Sequence, residues 1–125
     1  MDYVLIIEDN LEIRENTAEM LELSGFGVYT AANGQDGLML AVEKLPDLIL
    51  CDIMLPGLNG FEVFRKLKEN KSTSSIPFVF ESARTEKKDI NEGLEMGATG
   101  YIAKPYELNE LIEKITSCLK KHTSA

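Results

Sequence analysis

Pro46-Asp47-Leu48-Ile49-Leu50-Cys51-Asp52-Ile53-Met54-Leu55-Pro56-Gly57 is the stretch from which the fold can be read. Its apolar run, Leu48 to Cys51, leads straight into the carboxylate of Asp52, and a turn-forming Pro56-Gly57 follows. A short apolar run bounded by Pro46 and Gly57 predicts a strand buried on both faces. Such strands belong to parallel sheets covered by helices, whose ligands sit beyond the carboxyl ends of the strands. Asp52 falls at that end.

The same construction recurs along the chain. Val4-Leu5-Ile6-Ile7 runs into Glu8-Asp9, and Ile76-Pro77-Phe78-Val79-Phe80 runs into Glu81-Ser82. A shorter strand, Gly100-Tyr101-Ile102-Ala103, ends at Lys104-Pro105, and Gly27-Val28-Tyr29-Thr30-Ala31 reads as a further strand near an edge. In a parallel sheet, Glu8, Asp9, Asp52, Ser82 and Lys104 all meet at one rim, at spacings that fit βα units.

Helical patterns fill the intervals. Asp9 with Glu12 predicts a capping box ahead of Ile13, Thr17, Met20 and Leu21, with Gly25 as the C-terminal stop. Asn33 is expected to cap a second helix, with Leu38, Ala41, Val42 and Leu45 on its inner face and Pro46 at its exit. Asn59 with Glu62 forms another capping box, and Val63, Phe64 and Leu67 point inward from that helix. A fourth helix, about residues 85–96, has Ile90 and Leu94 as its strong anchors and Gly93 in its middle, which makes it the loosest. The last, about 107–120, has Leu108, Leu111, Ile112, Ile115 and Leu119 on one side. Strand and helix alternate five times, which implies an α/β fold with helices on both faces of a parallel sheet.

Size and composition narrow the function. The 125 residues predict a single domain, and 44% hydrophobic with 27% charged residues is a globular composition. A net charge of −8 argues against direct nucleic-acid binding, which needs clustered Lys and Arg. Cys51 and Cys118 are expected to be buried small hydrophobes and give no disulfide framework. No run approaches the ~20 apolar residues of a membrane span, and a basic signal flank is missing, so a cytoplasmic protein without membrane association is expected.

The polar residues at the strand ends then define a chemistry. Clustered carboxylates repel, and a hard divalent cation with oxygen ligands relieves the repulsion. Lys104 and the Ser82 hydroxyl are surplus to metal binding and suit phosphoryl oxygens. A carboxylate can act as nucleophile and carry a phosphoryl group as an acyl phosphate. The residues themselves therefore point to Mg²⁺-dependent phosphorylation of Asp52. Singly, each has a plainer reading: Glu8-Asp9 as helix caps, Asp52 as a turn residue, Lys104 as a surface charge and Tyr101 as a half-buried strand residue.

Glu8-Asp9, Asp52 with Met54-Leu55-Pro56-Gly57 and Gly60, Ser82-Ala83, Gly97-Ala98, Tyr101 and Lys104-Pro105, in this order, resemble the receiver domain of two-component response regulators along essentially the whole chain. The resemblance implies a flavodoxin-like, doubly wound sheet of order 2-1-3-4-5 with five helices. It makes Asp52 the phosphoacceptor, supplied by a histidine kinase or a phosphotransfer protein. Asp9, Asp52 and the main-chain carbonyl of Met54 would be ligands of Mg²⁺ (or Mn²⁺), with Glu8 acting through a water. Ser82 and Lys104 would hold the phosphoryl oxygens, and Ser82 and Tyr101 would form the switch. The Lys104-Pro105 bond matches one that is often cis in this family. Met54 and Arg84 occupy positions that modulate phosphoryl lifetime in such domains.

The implied output is a change in the surface formed by the fourth helix, fifth strand and fifth helix. That surface would bind a downstream partner or an output domain outside this chain, and the chain could also pair with a second copy as a homodimer. Such a switch phosphorylates and dephosphorylates itself and is not a turnover enzyme. The chain is expected to carry no output domain of its own, so it would either act alone or be a receiver from a longer regulator. Glu81 departs from the pattern, since the residue before the hydroxyl is usually apolar; it either weakens phosphate binding or points to solvent. Glu81 also supports the alternative of a degenerate receiver serving as a phosphorylation-independent interaction module. A phosphatase of the haloacid dehalogenase type would need a second Asp where Met54 stands. A flavodoxin-like cofactor carrier would need a phosphate-cradling loop in place of Glu8-Asp9-Asn10.

Overall fold

The computed structural model describes residues 1–82 and 87–124. Strand and helix alternate as β1 (Tyr3–Ile7), α1 (Leu11–Leu23), β2 (Gly27–Ala31), α2 (Gly34–Lys44), β3 (Leu48–Asp52), α3 (Gly60–Glu69), β4 (Phe78–Ser82), α4 (Lys87–Glu95), β5 (Gly100–Ala103) and α5 (Leu108–Ser124). The strands pair in parallel in the order β2-β1-β3-β4-β5. The chain works outward from β1 to β2, then crosses back to β3 on the other side of β1. That reversal opens a crevice at the carboxyl ends of β1 and β3, the place where doubly wound sheets bind ligands.

Alternate residues of each strand feed two cores. On one face Leu5, Ile7, Ile49, Cys51, Phe78 and Phe80 pack with Ala41 of α2 and Val63, Phe64 and Leu67 of α3. On the other, Val4, Ile6, Leu48, Leu50, Val79 and Ile102 pack with Leu21 of α1 and Leu111, Ile115 and Cys118 of α5. Both cysteines are free and buried, as expected. Every residue of β3 is buried, and each fully buried Leu or Ile contributes about 1.5–3 kcal/mol over its exposed state. The strand that presents Asp52 is thus held rigidly from both sides.

Several local expectations change. Asn10, not Asp9, caps α1, its side chain accepting the amide of Ile13 at 3.0 Å. The helix begins one residue later than the Asp9–Glu12 pattern implies, which leaves Asp9 in the loop at the sheet rim. In α2 the inner stripe is Gly34, Gly37 and Ala41, while Val42 and Leu45 are exposed. The cause is closeness: a Cβ on Gly37 would lie 2.4 Å from Ile7 Cδ1, so only glycine lets α2 settle on β1. The caps at Asn33 and Asn59 stand as expected, the second with its full capping box to Glu62.

In α4 the anchoring is also redistributed. Leu94 is exposed and Gly93 is buried. A Cβ on Gly93 would lie 2.7 Å from the Phe80 ring. Gly93 is therefore a contact position that brings α4 down onto the sheet. β4 starts later than expected and continues through Glu81 to Ser82, so both polar residues belong to the sheet.

Candidate functional site

Four strand ends meet at the rim. Asp52 closes β3, where Ile53 donates its amide to the carbonyl of Glu81 on β4. Gly60, at the start of α3, donates to the carbonyl of Ile53, and a Cβ there would come within 2.5 Å of the Asp52 carbonyl. That close approach folds the Ile53–Asn59 loop back over the strand end. The amide of Met54 donates to Asp52 Oδ1 at 3.1 Å, which fixes the rotamer of the carboxylate.

Lys104 reaches the cluster from the end of β5. Its amide donates to the carbonyl of Ser82 at 2.7 Å, so the chain leaves β5 beside the hydroxyl-bearing end of β4. Its Nζ donates to Glu8 Oε1 at 2.8 Å and to Asp52 Oδ2 at 3.0 Å. Burial opposes the charge of the ammonium, but the hydrogen bonds to Glu8 and Asp52 outweigh it and hold its pKa well above the ordinary value. The second oxygen of Glu8 accepts the amide of Asn10 at 3.1 Å, and Arg14 donates to the Glu8 carbonyl at 2.8 Å.

The carboxylates of Glu8, Asp9 and Asp52 each bring an oxygen within 4.8 Å of the others. Glu8 and Asp52 are buried and Asp9 is exposed. Among the described residues, three acids against one ammonium leave an excess of negative charge, in a hard, all-oxygen donor set. That set fits a divalent cation of the Mg²⁺ class. Ser82 is buried at the end of β4, opposite Ala103 in the sheet register. Tyr101 is half-buried and packs against the core on the α2 and α3 side. Glu8, Asp9, Asp52, Met54, Ser82 and Lys104 therefore converge on one rim, and Tyr101 lies on the adjoining strand. Arg84 and the loop after Ser82 fall on residues 83–86, outside the described residues.

Glu81 is the correction. It does not point to solvent: its position in β4 buries it completely on the α1 and α5 side of the sheet, where the charges of Lys104, Glu8 and Asp52 still reach it. Its Oε2 accepts the Tyr106 hydroxyl at 2.8 Å, and that hydroxyl lies 2.9 Å from Thr17 Oγ1 on α1. Its Oε1 has no hydrogen-bond partner among the described residues. Burial pushes the Glu81 carboxyl up to about 8, with the Tyr106 hydrogen bond and the Lys104 charge pulling the other way. Burial raises the Tyr106 hydroxyl as well, helped by the Glu81 charge. Tyr106 carries little local signal beyond being a tyrosine two residues past a rim lysine.

Residues 4–116 match the family described as "Response regulator receiver domain". The chain is 39% identical over 118 residues to the phosphate regulon transcriptional regulatory protein PhoB of Pseudomonas aeruginosa, covering 94% of this chain and 52% of the relative. Against the response regulator ArlR of Staphylococcus aureus, identity is 38% over 125 residues, covering 97% of this chain and 54% of the relative. The chain thus spans about half the length of these curated relatives. Among solved structures, the chemotaxis protein CheY4 of Vibrio cholerae aligns with a TM-score of 0.90 at 28% identity, over 94% of this chain and 98% of that one.

Proposed function

Because this chain belongs to the response regulator receiver family of two-component signalling, we propose that it is a phosphorylation switch with Asp52 as the phosphoacceptor. The observation that carries the reading is the placement of Asp52. It is a buried carboxylate at the end of the central strand, bonded through one oxygen to a backbone amide and through the other to an ammonium. The donor is a phosphohistidine of a histidine kinase or phosphotransfer protein. A carboxylate oxygen attacks phosphorus, the P–N bond breaks, and the imidazole leaves with the electron pair and takes up a proton. The product is an acyl phosphate on Asp52.

The neighbouring residues prepare that step. The Met54 amide orients the carboxylate before attack, and Lys104 supplies a positive charge already directed at it. With a phosphoryl group in place, Lys104 and Ser82 bind its oxygens. Glu8, Asp9, Asp52 and the main-chain carbonyl of Met54 are the groups that would hold Mg²⁺ or Mn²⁺, Glu8 through a water. When bound, the cation supplies charge neutralisation for the phosphoryl oxygens.

The output is conformational. Ser82 moving toward the phosphoryl group draws on β4, and Tyr101 and α4 follow. This reshapes the surface of α4, β5 and α5 for a downstream partner, an output domain or a second copy of the chain. The half-length match to transcriptional regulators supports an output domain as one such partner. The protein acts as a switch and not as a turnover enzyme: the product of the transfer is its own Asp52 acyl phosphate, and hydrolysis of that bond resets the switch. The net charge of −8 supports output through protein contact and not through direct nucleic-acid binding. Among the described residues no helix is long and apolar enough to cross a membrane.

Intact-mass spectrometry after incubation with a small phosphodonor, with and without Mg²⁺, tests the reading. One Mg²⁺-dependent phosphoryl adduct is expected in the wild type and none in Asp52→Asn. Absence of any adduct in the wild type would overturn it and leave a phosphorylation-independent interaction module.

A further inference from the structure

The segment after β5 is tied to two consecutive residues of β4. The Lys104 amide donates to the Ser82 carbonyl, and the Tyr106 hydroxyl donates to the Glu81 carboxyl. Thr17 on α1 holds the same hydroxyl from the other side at 2.9 Å. If Tyr106 gives its proton to Glu81, Thr17 must give its own to Tyr106, so the chain of bonds has one direction. All of this surrounds the two-residue reach between Tyr106 and the backbone of the rim ammonium.

Glu81 is an expensive way to fill its site. It is 0% exposed, and one of its oxygens has no hydrogen-bond partner among the described residues. An apolar residue would pack there without that penalty, and replacing buried polar groups by apolar ones of similar size is often neutral or stabilising. What the acid adds is a fixed acceptor that selects one position for the Tyr106 ring. Lysine has a long, rotamer-rich stem, so that of Lys104 benefits from a backbone that does not move.

We infer that Glu81 and Tyr106 are positioning residues: their hydrogen bond, backed by Thr17, fixes the Lys104–Tyr106 segment so that the Lys104 ammonium is held across Glu8 and Asp52. The inference rests on the phosphorylation reading for its purpose, but the position of Lys104 is measurable without phosphate or metal. Neither residue touches the reacting atoms. Both act through Lys104.

Exchange of the Lys104 ammonium protons, followed by nitrogen-resolved NMR at low temperature in metal-free protein, is the first readout. Tyr106→Phe and Glu81→Leu are expected to speed that exchange roughly five- to tenfold, the loss of one hydrogen bond to the anchor. Glu81→Gln keeps an acceptor for the hydroxyl and is expected to restore slow exchange. The double variant Glu81→Leu with Tyr106→Phe removes both polar partners. It is expected to remain folded, with a melting temperature no lower than the wild type, and yet to show fast exchange. Slow exchange in Tyr106→Phe and in the folded double variant would overturn the inference. So would fast exchange in Glu81→Gln matching that in Glu81→Leu. The second readout is the rate of phosphoryl uptake from a small donor, which is expected to fall in the same variants and recover in Glu81→Gln. A wild type that takes up no phosphoryl group would refute the phosphorylation reading, and the ammonium exchange would still decide the role of Glu81 and Tyr106.

Discussion

Asp52 and Glu81 are partners in the β3–β4 register, yet they differ in environment. Asp52 has a backbone amide and an ammonium as partners, whereas Glu81 has one phenol and, among the described residues, an otherwise unpaired oxygen. The difference has a measurable sign. The Glu81 carboxyl rises from an ordinary 4.5 to about 8 in the folded protein, chiefly through burial. Between those values the folded state holds a proton that the unfolded state has lost. The stability contributed by this group is therefore complete below the lower value and is lost as pH rises through about 8. Urea denaturation at intervals from pH 5 to pH 8 should show wild type losing stability relative to Glu81→Gln, by on the order of a few kcal/mol. Parallel curves for the two proteins across that window would show that Glu81 does not titrate there.

At the scale of elements, glycines and one strained leucine decide how closely the helices sit. Phe80 stands in a cluster with Phe61, Phe64 and Phe78, their ring centroids 4.9–5.6 Å from it, so its ring has little room to retreat. Gly93→Ala gains about 1 kcal/mol in helix propensity but overpacks that contact, which costs typically 1–3 kcal/mol. A net loss of about 1 kcal/mol in denaturant melts is expected, where helix propensity alone predicts a gain. Leu45 has the opposite problem: as the C-cap of α2 it is left-handed, at φ 46° and ψ 63°, and half-exposed. Leu45→Gly relieves roughly 1–2 kcal/mol of backbone strain and gives back about 0.4–1 kcal/mol to the freer unfolded chain. A small net rise in stability, with wild-type phosphoryl uptake, is expected. These positions also show what the sequence made legible. Short apolar runs ending in polar residues placed the strands, and Asn33 and Asn59 announced their helices. The inward stripe of α2, the burial of Gly93 and the role of Tyr106 depend on distances between elements far apart in sequence. Local periodicity does not encode those distances.

For the whole molecule, the rim residues were readable because chemistry demands recognisable side chains at strand ends; the energetics that link rim to surface were not. The site is joined to the α4, β5 and α5 surface through a short route. Ser82 ends β4, its carbonyl accepts the Lys104 amide, and Phe80 on the same strand carries the Gly93 contact with α4. β5 pairs with β4 along its whole length. A displacement of the β4 end toward a phosphoryl group on Asp52 must therefore act on α4 and β5 before it reaches β1 or β2, which lie on the far side of β3. Amide hydrogen exchange, compared with and without phosphoryl transfer in Mg²⁺, should change in α4 and β5 and stay unaltered in β2 and α2. A phosphorylation switch of the proposed kind needs two arrangements with different affinity for the phosphoryl group, since a ligand shifts populations only by its differential binding. Uniform protection across the sheet would indicate simple stabilisation by ligand. No change in α4 and β5 would remove the surface from the mechanism, because a population shift that leaves its output elements untouched transmits nothing.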